Sequence, residues 1–213
     1  EDVDKLVAEV PEIATPNNPH IDYAGGFSGG PYSSIYVMSQ EAALNVDTHV
    51  HELGHTLGLE HPWEETESKT SKLPGIGEDA FDAGDYGNHS PYWTVMSYGN
   101  AIPDALTDVD MPAPALAVVD VAALQHMYGA NLTTNLGNNE YRPSDDFQVI
   151  WDAGGVDSIS FSTIGLSSVI DLRPADLSFN ADGPGGMSFT RHDGKLYNIL
   201  QIVPDAWIED AIG

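Results

Sequence analysis

The sequence predicts an α+β fold in which two helices in the first part of the chain give way to a β-rich second part. Apolar residues recur at helical spacing from Glu41 to about Leu57, and again in "APALAVVDVAALQHMYG" (113–129). From about Asn131 onward that period is replaced by short β runs separated by Gly, Asp and Asn. The change places a domain boundary near residue 130, dividing the chain into 1–130 and 131–213. At 213 residues the chain is long enough to bury the core of one domain or of two small ones.

In chain order, "GGFSGGPYSS" (25–34) has the composition of a loop. "SSIYVMS" (33–39) then predicts a short strand with Ile35, Tyr36 and Val37 at its centre. In the first helix, at about 100° per residue, Val46, Val50, Leu53 and Leu57 fall on one narrow stripe. That stripe is expected to face the core, leaving His51 and His55 on the opposite side, towards a cleft. The region 62–95 is irregular and rich in Gly, Pro and acidic residues, as long functional or ion-stabilised loops are. Its acidic run "EDAFDAGD" (78–85) reads as solvated loop. Gly129 sits where a helix C-cap prefers glycine, and His126 is expected in the core. Beyond it, "FQVIWD", "SISFS", "SVIDL" and "MSFT" are the expected strands.

Composition narrows the function classes. The chain has 33 acidic and 7 basic residues, a net charge of −26, which repels nucleic acid and anionic membranes. Such acidity serves solvation, calcium binding or both. No stretch of about 18 apolar residues occurs, so no membrane span is expected. Cysteine is absent, which excludes disulfides and thiolate metal sites. Any metal must be held by imidazole, carboxylate, phenol or backbone oxygen.

The stretch "HELGHTLGLEH" (51–61) meets that condition. His51 and His55, spaced i, i+4, share one helix face and can hold one ion. Glu52 lies on the flank of that face, suited to act as a base on water rather than as a ligand. Gly58 can adopt the left-handed backbone that ends the helix and swings the chain back, bringing His61 in as a third imidazole. Three neutral nitrogens with an open fourth position describe a catalytic zinc site, not a closed structural one. Asp152 and Asp157, with Gly154 and Gly155 between them, offer the oxygens and tight turn that calcium takes.

The pattern H-E-x-x-H-x-x-G-x-x-H resembles that of the metzincin zinc proteases. "TVMSYG" (94–99) resembles their methionine turn, and "VMSY" its serralysin version. "VVDVAALQHMYGAN", "WDAGGVDSISFS" and "WIEDAIG" extend the likeness to serralysin-type secreted metalloproteases from about residue 47 to 213. The resemblance implies a metzincin catalytic domain followed by the start of a β-rich, RTX-type C-terminal domain. It implies zinc on His51, His55 and His61, with Glu52 as general base in hydrolysing the peptide bonds of extended polypeptides. Met96 would be an apolar floor beneath the histidines, and Tyr98 both a fifth zinc ligand and an oxyanion donor. Calcium at Asp152 and Asp157 and an extracellular location are further implications. So is a substrate-binding edge strand at Ile35, Tyr36 and Val37, to which a peptide would pair.

Three departures accompany the resemblance. Only 50 residues precede His51, so the N-terminal subdomain is expected to be incomplete, or completed by a second chain or cleaved segment. The glycine/aspartate repeats expected after Gly213 lie outside the sequence. "HPWEET" (61–66) stands where the family has "HPGDYN". The opposing readings are a non-catalytic, calcium-dependent surface or adhesion module and an inactive protease fragment; retention of Glu52 and all three histidines speaks against a vestigial site.

Overall fold

The computed structural model describes residues 6–9, 26–28, 35–38, 46–64, 72–99, 116–144, 147–180, 185–193 and 195–213. It contains helices and sheets, as an α+β fold requires, and divides into two compact units, Glu1–Glu60 and His61–Gly213. No helix among the described residues is long and apolar enough to cross a membrane.

In the first unit, strands β1 (Leu6–Glu9), β2 (Gly26–Ser28) and β3 (Ile35–Met38) form one sheet in the order β1-β3-β2. β3 runs parallel to β1, pairing Leu6 with Ile35, and antiparallel to β2, pairing Phe27 with Val37. Two expectations are corrected here. Part of the Gly/Ser-rich stretch 25–34 is strand β2, because backbone pairing with β3 overrides its loop-like composition. The strand containing Ile35, Tyr36 and Val37 is central rather than an edge, so Tyr36 and Val37 have a neighbour on each side. A peptide adding to this sheet would meet β1 or β2 first. The side chains of residues 35–37 lie outside the described residues.

Helix α1 (Val46–Thr56) packs near β2 and β3; the expected start at Glu41 lies outside the described residues. Of the stripe expected to be buried, Val46 and Leu53 are exposed, while Val50 and Leu57 are partly buried. Val46 is 62% and Leu53 40% exposed, whereas His51 and Glu52 are buried, Glu52 at 4%. A helical period identifies a stripe but not the side that receives cover, and here His51 and Glu52 receive more of it than Val46 and Leu53.

Among the described residues, the second unit has helix α2 (Val118–Tyr128) and seven strands. Gly129 ends the helix at φ +86°, and its N–H bonds back to the carbonyl of Gln125. Strands β4 (Glu140–Tyr141), β6 (Ser158–Ser160) and β10 (Asp210–Ile212) form a parallel sheet in the order β10-β6-β4. The other sheet comprises β5 (Gln148–Ile150), β7 (Ser167–Val169), β8 (Met187–His192) and β9 (Lys195–Ile202), ordered β5-β9-β8-β7. β9 was not legible beforehand, since "KLYNILQI" does not alternate cleanly, yet it supplies Leu196, Ile199, Leu200 and Ile202 to the core.

α2 buries Val118 and Val121 against this β region. Val121 joins Ile150, Ile159, Phe161 and Leu200, while Val118 joins Trp93 and Ala175. The last turn of the helix leaves this core, so His126 is exposed rather than buried as expected.

Candidate metal centre

The helix that carries His51, Glu52 and His55 ends in a specific way. The Leu59 N–H bonds to the carbonyl of Gly54, and the Gly58 N–H to that of His55, both at 3.0 Å. This pair of bonds is a Schellman cap, with Gly58 in the left-handed region at φ +98°. Leu59, the residue after the glycine, is buried, as the apolar contact of such a cap requires. The chain thus turns where the spacing predicted.

The cap also orients a ligand. His55 Nδ1 lies 2.9 Å from the carbonyl of Leu59. A carbonyl only accepts, so Nδ1 carries the proton and Nε2 is left with its lone pair. The rings of His51 and His55 meet edge to face, with centroids 4.8 Å apart. The ligand atoms of His51, His55 and His61 all lie within 4.8 Å of one another, so this trio could hold a metal ion. The donor set fits zinc: three neutral imidazoles suit a borderline metal, whereas calcium and magnesium require oxygen.

The methionine turn is built in the second unit. The Ser97 N–H bonds to the carbonyl of Thr94 at 3.1 Å, closing a turn with Met96 inside it, and Met96 is 1% exposed. Thr94 Oγ1 accepts from the Met96 N–H and donates to Asp120 Oδ1. Asp120 Oδ2 accepts from the backbone N–H groups of Val95 and Ala117. One buried carboxylate therefore ties the turn to the start of α2. Burial pushes the Asp120 carboxyl up to about 6, against the pull of those three donors. Sequence reasoning missed this residue; its signal is an acid in the first turn of a helix, where it can also satisfy an orphan N–H.

Tyr98 is 43% exposed, and its ring centroid lies 4.9 Å from that of His61. The acidic loop beside it is organised by its own backbone. Gly77 and Gly84 donate to the Asp82 carboxylate, and Phe81 donates to Asp79. These bonds use the acidic side chains within the loop, in keeping with the solvated reading.

A second constellation surrounds Asp152 and Asp157, both buried. The Asn139 side-chain nitrogen lies 3.0 Å from the carbonyl of Asn135, 2.8 Å from that of Gly137 and 3.2 Å from Asp152 Oδ2. Asp157 accepts from the Asn139 N–H, and the Asp157 N–H donates to Glu209. Asp157 Oδ2 is buried without a hydrogen-bond partner. Burial, followed by the charges of Asp152 and Glu209, raises the Asp157 carboxyl above its ordinary range, although its bond from Asn139 pulls the other way. Gly155 leaves no space for a side chain, since a Cβ there would lie 2.2 Å from the carbonyl of Gly137. These oxygens converge on the Asn139 amide nitrogen, and they are of the kind, set around tight glycine backbone, that a hard cation takes. The carbonyls of Asn135 and Gly137 were invisible to a reading of side chains.

The chain is similar to known proteins. The chain is 31% identical to a serralysin of Proteus mirabilis over 181 residues, covering 78% of this chain and 33% of the relative. It is 29% identical to serralysin C of Dickeya chrysanthemi, covering 90% of this chain and 40% of that protein. It is also 29% identical to metallopeptidase AprA of Pseudomonas marginalis, covering 62% of this chain and 30% of that protein.

This chain belongs to the serralysin-type metalloprotease family.

No family model matches it. The chain spans 33% to 40% of the length of the first curated relatives it matches.

Proposed function

We propose that this chain is the catalytic part of a zinc-dependent endopeptidase that hydrolyses peptide bonds in extended polypeptide substrates. The observation that carries the reading is the gathering of His51, His55 and His61, with Glu52 on the same helix. A bound zinc supplies Lewis acidity, polarising the scissile carbonyl and acidifying the attacking water. Glu52 takes the proton from that water and returns it to the leaving amine. Its burial limits competing solvation of the carboxylate. Tyr98, exposed beside His61, would donate a hydrogen bond from its phenol to the developing oxyanion and would be a fifth ligand when substrate is absent. Met96, fixed by its buried turn, is the apolar floor of the centre.

In this reading residues 1–130 form the metzincin catalytic domain and 131–213 begin an RTX-type β domain. Asp152 and Asp157, with the carbonyls of Asn135 and Gly137, would hold a calcium ion, which would neutralise their charge and stabilise the β domain. The substrates are proteins or peptides, the setting is extracellular, and the −26 charge disfavours nucleic acid and anionic membranes as partners.

The test is metal titration of the apo chain combined with a peptide-cleavage assay. The reading predicts one zinc per chain and cleavage that follows zinc occupancy. A folded chain that takes up no zinc at neutral pH would overturn it.

A further inference from the structure

His61 differs from the other two proposed ligands because no helix carries it. His51 and His55 have their directions set by α1, whereas His61 follows the cap, in irregular chain. Its ring must be held by something else. Two neighbours stand where the sequence departs from the family pattern, at the Trp-Glu of "HPWEET".

The ring of Trp63 stacks on that of His61, with centroids 4.4 Å apart and planes inclined by 15°. The indole is itself immobilised. It is buried, with Tyr98 at 4.8 Å and His89 at 5.3 Å between ring centroids. His89 is fully buried, and its Nδ1 is 2.6 Å from the carbonyl of Asp82. Gly99 closes the far side, where a Cβ would lie 2.1 Å from the carbonyl oxygen of His89. A continuous packed series thus runs from the backbone of the acidic loop through His89 and Trp63 to His61. Glu64 adds the second constraint, with Oε2 3.0 Å from His61 Nδ1. This contact lacks the geometry of a directed hydrogen bond, so it is the negative charge of the carboxylate beside Nδ1 that favours the proton on that nitrogen of the neutral ring.

We infer that Trp63 and Glu64 are positioning residues for His61: the indole fixes the plane of the imidazole, and the carboxylate keeps the proton on Nδ1, so that Nε2 presents its lone pair. A ligand whose plane and tautomer are already set loses less freedom on binding metal, and outer groups of this kind typically govern about 10- to 100-fold in metal affinity. This inference rests on the proposed metal centre.

The test is competition titration of the apo full chain with Zn²⁺ against a chromophoric chelator, together with the visible spectrum of the Co²⁺-loaded chain. Trp63→Ala and Glu64→Ala should each weaken Zn²⁺ binding by about 10- to 100-fold and shift the Co²⁺ bands. Trp63→Phe and Glu64→Gln, which keep a ring face and an acceptor, should recover most of the affinity. Glu64 is half exposed, so its variants keep the fold even if Trp63→Ala does not. His61→Ala separates the two levels of the account. If it leaves Zn²⁺ affinity unchanged, the metal centre itself is wrong. If it weakens binding while Glu64→Ala and Trp63→Leu, an apolar side chain without a ring face, both match the parent chain in affinity and spectrum, the positioning role is overturned.

Discussion

Asp120 accepts a 2.6 Å hydrogen bond from the hydroxyl of Thr94, two residues ahead of Met96. Through it the methionine turn hangs from the first turn of α2. Asp120→Ala leaves three donors without their acceptor, at about 1–3 kcal/mol each, offset by removal of a buried charge. A net loss of about 2–4 kcal/mol in chemical denaturation is expected. A loss below about 0.5 kcal/mol, the range of an ordinary surface change, would contradict the tie.

The same carboxyl makes stability depend on pH. Its folded pKa is raised to about 6 from an ordinary value of 3.8, so the native state holds a proton that the unfolded chain releases. The stability it contributes is therefore present below about pH 4 and lost as pH rises towards 6, by up to about 3 kcal/mol. Relative to Asp120→Asn, which does not titrate, the parent chain should lose stability across that window. A pH-independent difference between the two would place the carboxyl at its ordinary value.

Gly58 holds φ +98°, a conformation in which a side chain is strained. Gly58→Ala should cost about 1 kcal/mol or more of stability and weaken zinc binding, because the cap places His61. Unchanged melting and unchanged zinc affinity would show that the turn tolerates another geometry.

Asp157 is crowded by Asp152 and Glu209, and a cation would relieve that repulsion. Millimolar calcium should raise the melting temperature more than sodium chloride of equal ionic strength. Binding at 100 times Kd stabilises by about 2.7 kcal/mol, whereas salt screens exposed charge whatever the cation. The excess should shrink in Asp157→Ala. Equal effects of the two salts would leave the acidity as solvation alone.

The histidine cluster was legible because its information is local. The i, i+4 pair, the left-handed glycine and the third histidine occupy one stretch, and "TVMSYG" marks the turn within six residues. Long-range pairing was not legible. Nothing in "IYVM" announces that β1 and β2 flank it, so an edge strand was expected where a central one lies. The exposed Val46 and Leu53 show the same limit, since periodicity does not say which face is covered. Asp120 escaped notice because its partners Thr94 and Val95 belong to another segment.

The central claim is that Glu52 performs chemistry at a centre held by the three histidines. Its most direct test is Glu52→Ala, measured for zinc content and for peptide cleavage on the same sample. The account predicts one zinc per chain, as in the parent, with cleavage reduced by at least about 10²- to 10⁴-fold, the range for loss of a general base. Full zinc content with cleavage retained within about tenfold of the parent would contradict it.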